Sequence, residues 1–315
     1  MHIEFYKMLN QIIKKIEEYN SIVLFRHEYP DMDALGSQLG LKHAILDLYP
    51  DKKVYALGSL DKRESSIVDE MDTVDEELIK NSLAIITDTS NAARVDDKRY
   101  KLAKESIRID HHVQVETMCD LEYIDPKATA ACEIIALGLR KMEANISRKT
   151  AQLLYSGMVA DNIRFTISTV RPQTFLAASY LVEQGVDVIQ CEEDNFSSTY
   201  EDYTYESVVR SKVERKENAL IAIMEKEDYE PLSFSQAKTK VYCLSGVDGI
   251  QCWGLFTQMD DGIHYAASLR AKRLDVRTIA EQFNGGGHIC AAGIKNLTIE
   301  QVNEIVCLLA ELSKD

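Results

Sequence analysis

The chain has 315 residues, a length that suits about two domains. Apolar residues make up 45% of it, enough for a sizeable core, and charged residues 28%. A net charge of −15 argues against binding a long duplex, whose phosphates most of the surface would repel, but permits a small anion held by local positive charge or by metal ions.

Residues 1–20, MHIEFYKMLNQIIKKIEEYN, place apolar residues at helical spacing between charges. There is no uninterrupted apolar stretch of signal-peptide length, and no run approaches the ~18 apolar residues of a membrane span. A soluble, cytoplasmic protein is expected. SIVLF (21–25) reads as a buried strand and 33–48 as a helix. KVYAL (53–57), LAIIT (83–87) and SIRI (106–109) read as further strands, and 130–142 and 148–160 as helices. Strands alternating with helices imply a parallel sheet covered on both faces. The polar, charge-rich stretch 191–217 reads as a linker, partly helical near its end. After it, NALIAIM (218–224), QCWGLFTQ (251–258) and IHYAASLR (263–270) read as strands, VRTIAEQF (276–283) as a helix, and 285–287 is a glycine run. The expected fold class is α/β: a parallel-sheet domain at 1–190 flanked by helices, and a smaller α/β domain at 218–315. Seven cysteines, at 119, 132, 191, 243, 252, 290 and 307, form no C-x-x-C pair and are odd in number. Reduced, mostly buried thiols are expected.

Acids and histidines recur where apolar runs end. SIVLF leads into His27, Asp31 and Asp33; LAIIT leads into Asp88; SIRI leads into Asp110, His111 and His112; the helical LLYSGMVA leads into Asp161. Loops beyond the carboxyl ends of parallel strands hold ligands. A single Asp there is usually a turn residue or a helix cap, but four such events in one parallel-sheet domain point to a shared site. Clustered carboxylates would repel one another or take up protons, and metal ions remove that conflict. Mixed carboxylate and imidazole donors suit Mn²⁺, and two ions sharing one carboxylate can activate water for in-line attack on phosphorus.

The glycine run has a basic neighbourhood. Between 266 and 296, Arg270, Lys272, Arg273, Arg277 and Lys295 face only Asp275 and Glu281. Glycines let backbone N–H groups approach an anion, and arginine forks match phosphate; a plain turn after the preceding helix is the alternative.

H-x-x-x-D-x-D, the strand-end Asp, the Asp110-His111-His112 triplet and a later Asp, in that order, resemble the DHH phosphoesterase superfamily. Gly285-Gly286-Gly287-His288 followed by Ala291-Ala292-Gly293 resembles its DHHA1 partner domain. Size and layout are most similar to the oligoribonuclease/3′-phosphoadenosine-5′-phosphate phosphatase branch. The resemblance implies two divalent cations: His27 and Asp31 on the first, Asp33, His111 and Asp161 on the second, and Asp88 bridging both. It implies that His112 contacts the scissile phosphate or protonates the leaving group, and that Asp110 orients a neighbouring histidine. Arg270, Gly285, Gly286, Gly287 and His288 would grip the substrate's remote phosphate or terminal nucleotide, with the active-site cleft between the domains. Two motifs depart from the family. Asp161-Asn162-Ile163-Arg164-Phe165 lacks the glycine of Asp-Thr-Gly, and Thr129-Ala130-Ala131-Cys132-Glu133 lacks most of the hydroxyls of a Ser-Ser-Thr stretch.

The expected activity is hydrolysis of short oligonucleotides or of a nucleoside 3′,5′-bisphosphate (pAp). A cyclic or linear dinucleotide phosphodiesterase is the enzymatic alternative. A catalytically silent nucleotide-binding regulatory protein is the alternative of another class, supported only by the altered 162–163 positions. The expected partners are a short oligonucleotide or nucleotide, with no long duplex DNA and no membrane; a homodimer is left open.

Overall fold

In the computed structural model, residues 2–60, 68 and 70–314 are described. They form two compact units, Met1–Ser197 and Ser198–Asp315. No helix among them is long and apolar enough to cross a membrane.

The first unit is built on five parallel strands, β1 (Ser21–Phe25), β2 (Lys53–Ala56), β3 (Leu83–Thr87), β4 (Glu105–Asp110) and β5 (Leu121–Ile124), in the order β2-β1-β3-β4-β5. Its helices are α1 (His2–Glu18), α2 (Met32–Leu48), α3 (Glu76–Lys80), α4 (Ala131–Lys141), α5 (Arg148–Asp161), α6 (Pro172–Glu183) and α7 (Val188–Phe196). The continuous apolar runs of β1 and β3 follow from burial on both faces. Ile22, Leu24, Leu83 and Ile85 point to one core, shared with α1, α2, α4, α5 and α6. Val23, Phe25, Ala84 and Ile86 point to the other, with Ile79 of α3 and Tyr100. β5 was not foreseen: it is half-buried along its length and carries no apolar run. Two glycines let α2 and α5 touch. A Cβ on Gly36 would lie 2.5 Å from the Leu153 carbonyl oxygen, and one on Gly157 would lie 2.6 Å from that of Met32. The carboxyl end of α5 is thereby held against the start of α2.

The stretch 191–217, read as a linker, is largely regular structure. α7 closes the first unit, while α8 (Tyr200–Ser211) and β6 (Glu214–Lys216) open the second. Tyr205 and Val209, four apart on one face of α8, are buried in an apolar cluster, with Glu206 buried beside them as the acceptor of the Tyr242 hydroxyl and the other charges of the helix less buried. The second unit continues with β7 (Ala219–Met224), α9 (Phe234–Ala237), β8 (Cys252–Gln258), β9 (Tyr265–Ala271), α10 (Arg277–Gln282), β10 (Gly286–His288), β11 (Ala291–Leu297) and α11 (Ile299–Leu312). Its sheet runs β10-β11-β9-β8-β7-β6, with β7 and β8 parallel and the other pairs antiparallel. Ile221, Phe256 and Leu269 pack with α10 and α11 on one side; Ala222, Met224 and Leu255 pack with α8 on the other. The glycine run is not a free loop. It forms edge strand β10, registered Gly286 to Gly293 and His288 to Ala291. A Cβ on Gly285 or Gly287 would stand 2.4 Å from a β11 carbonyl oxygen, so backbone proximity alone demands glycine at both.

Candidate metal centre

β1, β3 and β4 are neighbours, so their carboxyl ends bring His27, Asp88 and the 110–112 triplet to one edge, with Asp88 in the middle. The Asp88 N–H donates to the Ile109 carbonyl at 3.0 Å, prolonging the ladder by one residue. The chain then turns at φ 45°, a left-handed conformation that aspartate tolerates better than most residues. Asp88 Oδ2 lies 3.4 Å from His27 Nε2, and Oδ1 lies 3.3 Å from His111 Nε2. His27 Nδ1 is 2.8 Å from the Glu28 carbonyl oxygen, which places a proton on Nδ1 and turns Nε2 toward Asp88.

Asp31 and Asp33 both cap helices, and both also enter the cluster. Asp31 Oδ1 accepts the N–H groups of Asp33 (3.1 Å) and Ala34 (3.0 Å) at the start of α2, and lies 3.8 Å from His27 Nε2. Asp33 caps a distant helix. Its oxygens accept the N–H groups of Ala131 at 2.6 Å and Cys132 at 3.0 Å, where Ala130 offers α4 no side-chain cap. His111 Nε2 is 3.9 Å from Asp33 Oδ2 and 3.2 Å from Asp161 Oδ2. Ligand atoms of His27, Asp31 and Asp88 lie within 4.8 Å of one another; so do those of Asp33, His111 and Asp161, and those of Asp88, His111 and His112.

The electrostatics suit cations. Burial, then the charge of Asp88, pushes Asp33 up to about 7. Burial, then the charge of Asp33, pushes Asp161 up to about 9. Burial works against the charged form of His27 and His111, but hydrogen bonds outweigh it and carry both up to about 10: Asp31 and Asp88 act on His27, and Asp88 on His111. Burial would raise Asp88 as well, yet the bonds from His111 and His27 hold it well below the usual carboxylate range. The residues therefore store protons that divalent cations would displace. Asp88 Oδ1 is buried and faces His111 Nε2 at 3.3 Å and His112 Nδ1 at 3.6 Å. Carboxylate and imidazole donors converging on one buried point fit a divalent metal.

His112 stands beside this cluster, its Nδ1 2.8 Å from Asp110 Oδ1. The same oxygen accepts the N–H groups of His111 (2.9 Å) and His112 (3.2 Å). Asp110 Oδ2 is bound by the fully buried Arg108 guanidinium. Burial would raise Asp110, but the His112 ring and then Arg108 hold it below its usual value. Arg108 was missed, although a charged residue two positions before Asp110, on the same face of a buried strand, was its signal. After Asp161 the chain makes a left-handed turn. Ile163, Arg164 and Phe165 have φ of 46°, 57° and 61°, and Asn162 Oδ1 accepts the Phe165 N–H at 2.8 Å.

In the second unit, Arg270, Gly285 and Gly286 line a pocket of about 700 Å³ together with Lys238, Asn284 and Lys295. Gly287 and His288 lie exposed on β10 and do not line it. The Arg270 guanidinium donates to the Leu269 carbonyl at 2.9 Å, and among the described residues no carboxylate pairs with it. Arg277, counted in the basic neighbourhood, is engaged by Asp275 and Glu281, each at 3.6 Å. Trp253 packs against the α8 side of the sheet.

Residues 21–158 match the family model "DHH family, N-terminal domain", and residues 216–315 match "DHHA1 domain". A probable bifunctional oligoribonuclease and PAP phosphatase NrnA of Streptococcus mutans is 32% identical over 96% of this chain and 98% of its own length. The bifunctional oligoribonuclease and PAP phosphatase NrnA of Bacillus subtilis is 29% identical over 98% and 99%. An exopolyphosphatase-related protein from Bacteroides fragilis shares the fold, with a TM-score of 0.84 at 21% identity over 98% of this chain and 97% of that one.

Proposed function

The chain belongs to the DHH family and continues into a DHHA1 domain, and we propose on that premise a metal-dependent phosphoesterase that hydrolyses short oligonucleotides and pAp. The observation that carries this reading is that His27 and Asp31 meet at Asp88, Asp33 and Asp161 meet at His111, and Asp88 and His111 meet each other. The names of the two NrnA relatives support the substrate pair. His27 and Asp31 would hold one divalent cation, Asp33, His111 and Asp161 a second, with Asp88 shared; the mixed donor set favours Mn²⁺. The cations would supply Lewis-acid polarisation of the phosphate and neutralise charge on the leaving oxygen.

The chain's own groups do the rest. Asp110 holds the His112 ring through Nδ1, which leaves Nε2 to give a proton to the leaving oxygen. Arg270, with no carboxylate partner among the described residues, binds a terminal phosphate of the substrate, with Lys238 and Lys295 lining the same pocket. A cytoplasmic location goes with such substrates, and sedimentation would decide between monomer and homodimer.

The test is an assay with Mn²⁺ on pAp, linear and cyclic dinucleotides, short RNA, a long single strand and pyrophosphate. Turnover of pAp or the short linear members is expected, and Asp88→Ala should abolish it. Activity confined to the long strand, to the cyclic substrate or to pyrophosphate would overturn the reading.

A further inference from the structure

Asp33 is fully buried, and the first turn of α4 binds both of its oxygens through the Ala131 and Cys132 N–H groups. The orientation of this carboxylate therefore depends on where α4 begins. Ala130 cannot fix that point, having no polar side chain. Glu133, also fully buried, does so instead. Its Oε2 accepts the Thr129 N–H at 3.0 Å, the Thr129 hydroxyl at 2.8 Å and the Thr174 hydroxyl at 2.8 Å. Its Oε1 accepts Arg171 Nε at 2.8 Å, and the same guanidinium reaches Asp125 at 2.7 Å, just beyond β5. The Thr174 hydroxyl in turn accepts the Arg171 N–H at 3.2 Å, closing the network onto α6.

We propose that Arg171 is a positioning residue for Asp33, acting through Glu133 and the first turn of α4. A buried carboxylate is tolerated when a cation and several donors satisfy it, and becomes a liability when the cation goes. Without Arg171 the 129–133 turn must readjust around Glu133. The Ala131 and Cys132 amides move with it, and Asp33 follows. Ligating groups need placement to about half an ångström, so a small shift is felt at the metal. Among the described residues, the hydrogen bonds and ion pairs of the Arg171 side chain go to Glu133 and Asp125 and to none of the six clustered side chains, so its effect has to travel through α4. The inference rests on Asp33 being a metal ligand.

The test measures Mn²⁺ binding by titration calorimetry, beside metal-free circular dichroism, melting temperature, kcat and KM. Arg171→Gln should keep its secondary structure and bind one of two Mn²⁺ about tenfold more weakly, the other unchanged, with kcat lowered and KM retained. Arg171→Lys, which keeps the charge without the fork, should recover part of the loss. Asp33→Asn should lose the same ion. Unchanged binding in Arg171→Gln, an equal loss at both ions, or the same loss in the exposed α4 control Arg140→Ala would overturn the positioning role. If Asp33→Asn keeps both ions, the assignment of the centre itself fails; if it loses one while Arg171→Gln loses none, only the positioning role fails. Should Arg171→Gln not fold, Thr174→Val decides: weakening of the same ion supports the proposal, and unchanged affinity rejects it.

Discussion

Asp88 and His111 meet across neighbouring strand ends, Oδ1 to Nε2 at 3.3 Å, while the other Asp88 oxygen meets His27 at 3.4 Å. One carboxylate thus stands between two imidazoles from different strands. Asp88→Asn keeps the shape and tolerates the left-handed φ of 45°, but removes the charge that both sides share. Hydrolysis should fall by roughly 10³-fold or more, with an unchanged circular dichroism spectrum. Asp88→Ala should be equally inactive and about 1 kcal/mol less stable than Asp88→Asn in urea, because alanine adopts that backbone less readily. Near-parental activity in either variant would contradict the shared role.

The metal-free protein should lose stability as pH rises. His27 and His111 are raised from 6.5 to about 10, so the stability they contribute is complete below about pH 6.5 and disappears as pH passes through about 10. Asp33 and Asp161, raised to about 7 and about 9, act in the same direction, since the fold keeps protons that the unfolded chain has released above about pH 4. Asp88 acts oppositely: it is held low, and its contribution is lost only in stronger acid. Melting temperatures in chelator should decline between about pH 5 and pH 10. Mn²⁺ should flatten the slope and release protons on binding at neutral pH. A flat profile in chelator would contradict the coupling.

Ile163 pairs a β-branched side chain with a left-handed backbone, and its side chain is 52% exposed. Ile163→Gly relieves the strain and sacrifices little burial. The variant should be more stable by about 0.5–1 kcal/mol in urea denaturation, after the greater freedom of glycine in the unfolded chain is counted.

Gly157→Ala should do the reverse. The added Cβ would stand 2.6 Å from both the Met32 carbonyl oxygen and Cys132 Sγ, so α5 must move from α2. A cost of about 1–3 kcal/mol is expected. Because Asp161 ends α5 and Asp33 begins α2, Mn²⁺ affinity should fall as well, read by calorimetry.

Arg270→Ala should raise KM for pAp and linear dinucleotides by roughly tenfold or more and leave kcat near the parent value, as loss of a charge-assisted phosphate contact predicts. A drop in kcat at constant KM would move Arg270 from holding the substrate to the chemistry.

The six clustered side chains were legible because each lies at the end of an apolar run or in the loop and helix start that follow it. Parallel strands end on one edge, so an acid following LAIIT and a histidine following SIRI have to share that edge wherever the strands lie in the sheet. The α/β alternation was legible for the same reason, since local periodicity records burial. β5 and α8 were less so: one is half-buried and the other shows its charges, and composition records only what is hidden.

Other features required the chain to close on itself. That Asp88 is central follows from the order β1-β3-β4, with β2 outside, and strand pairing over such distances leaves no local pattern. Asp33 capping α4, Arg108 clamping Asp110, Gly36 and Gly157 letting α2 meet α5, and Arg171 closing on Glu133 each join residues whose neighbours in the chain say nothing of the contact. The glycine run looked like a loop because glycine is permissive, whereas the approach of β11 makes it a strand. Residue chemistry and local burial are written along the chain; which buried group faces which is decided by packing, where a side chain's energy depends on partners up to a hundred residues away.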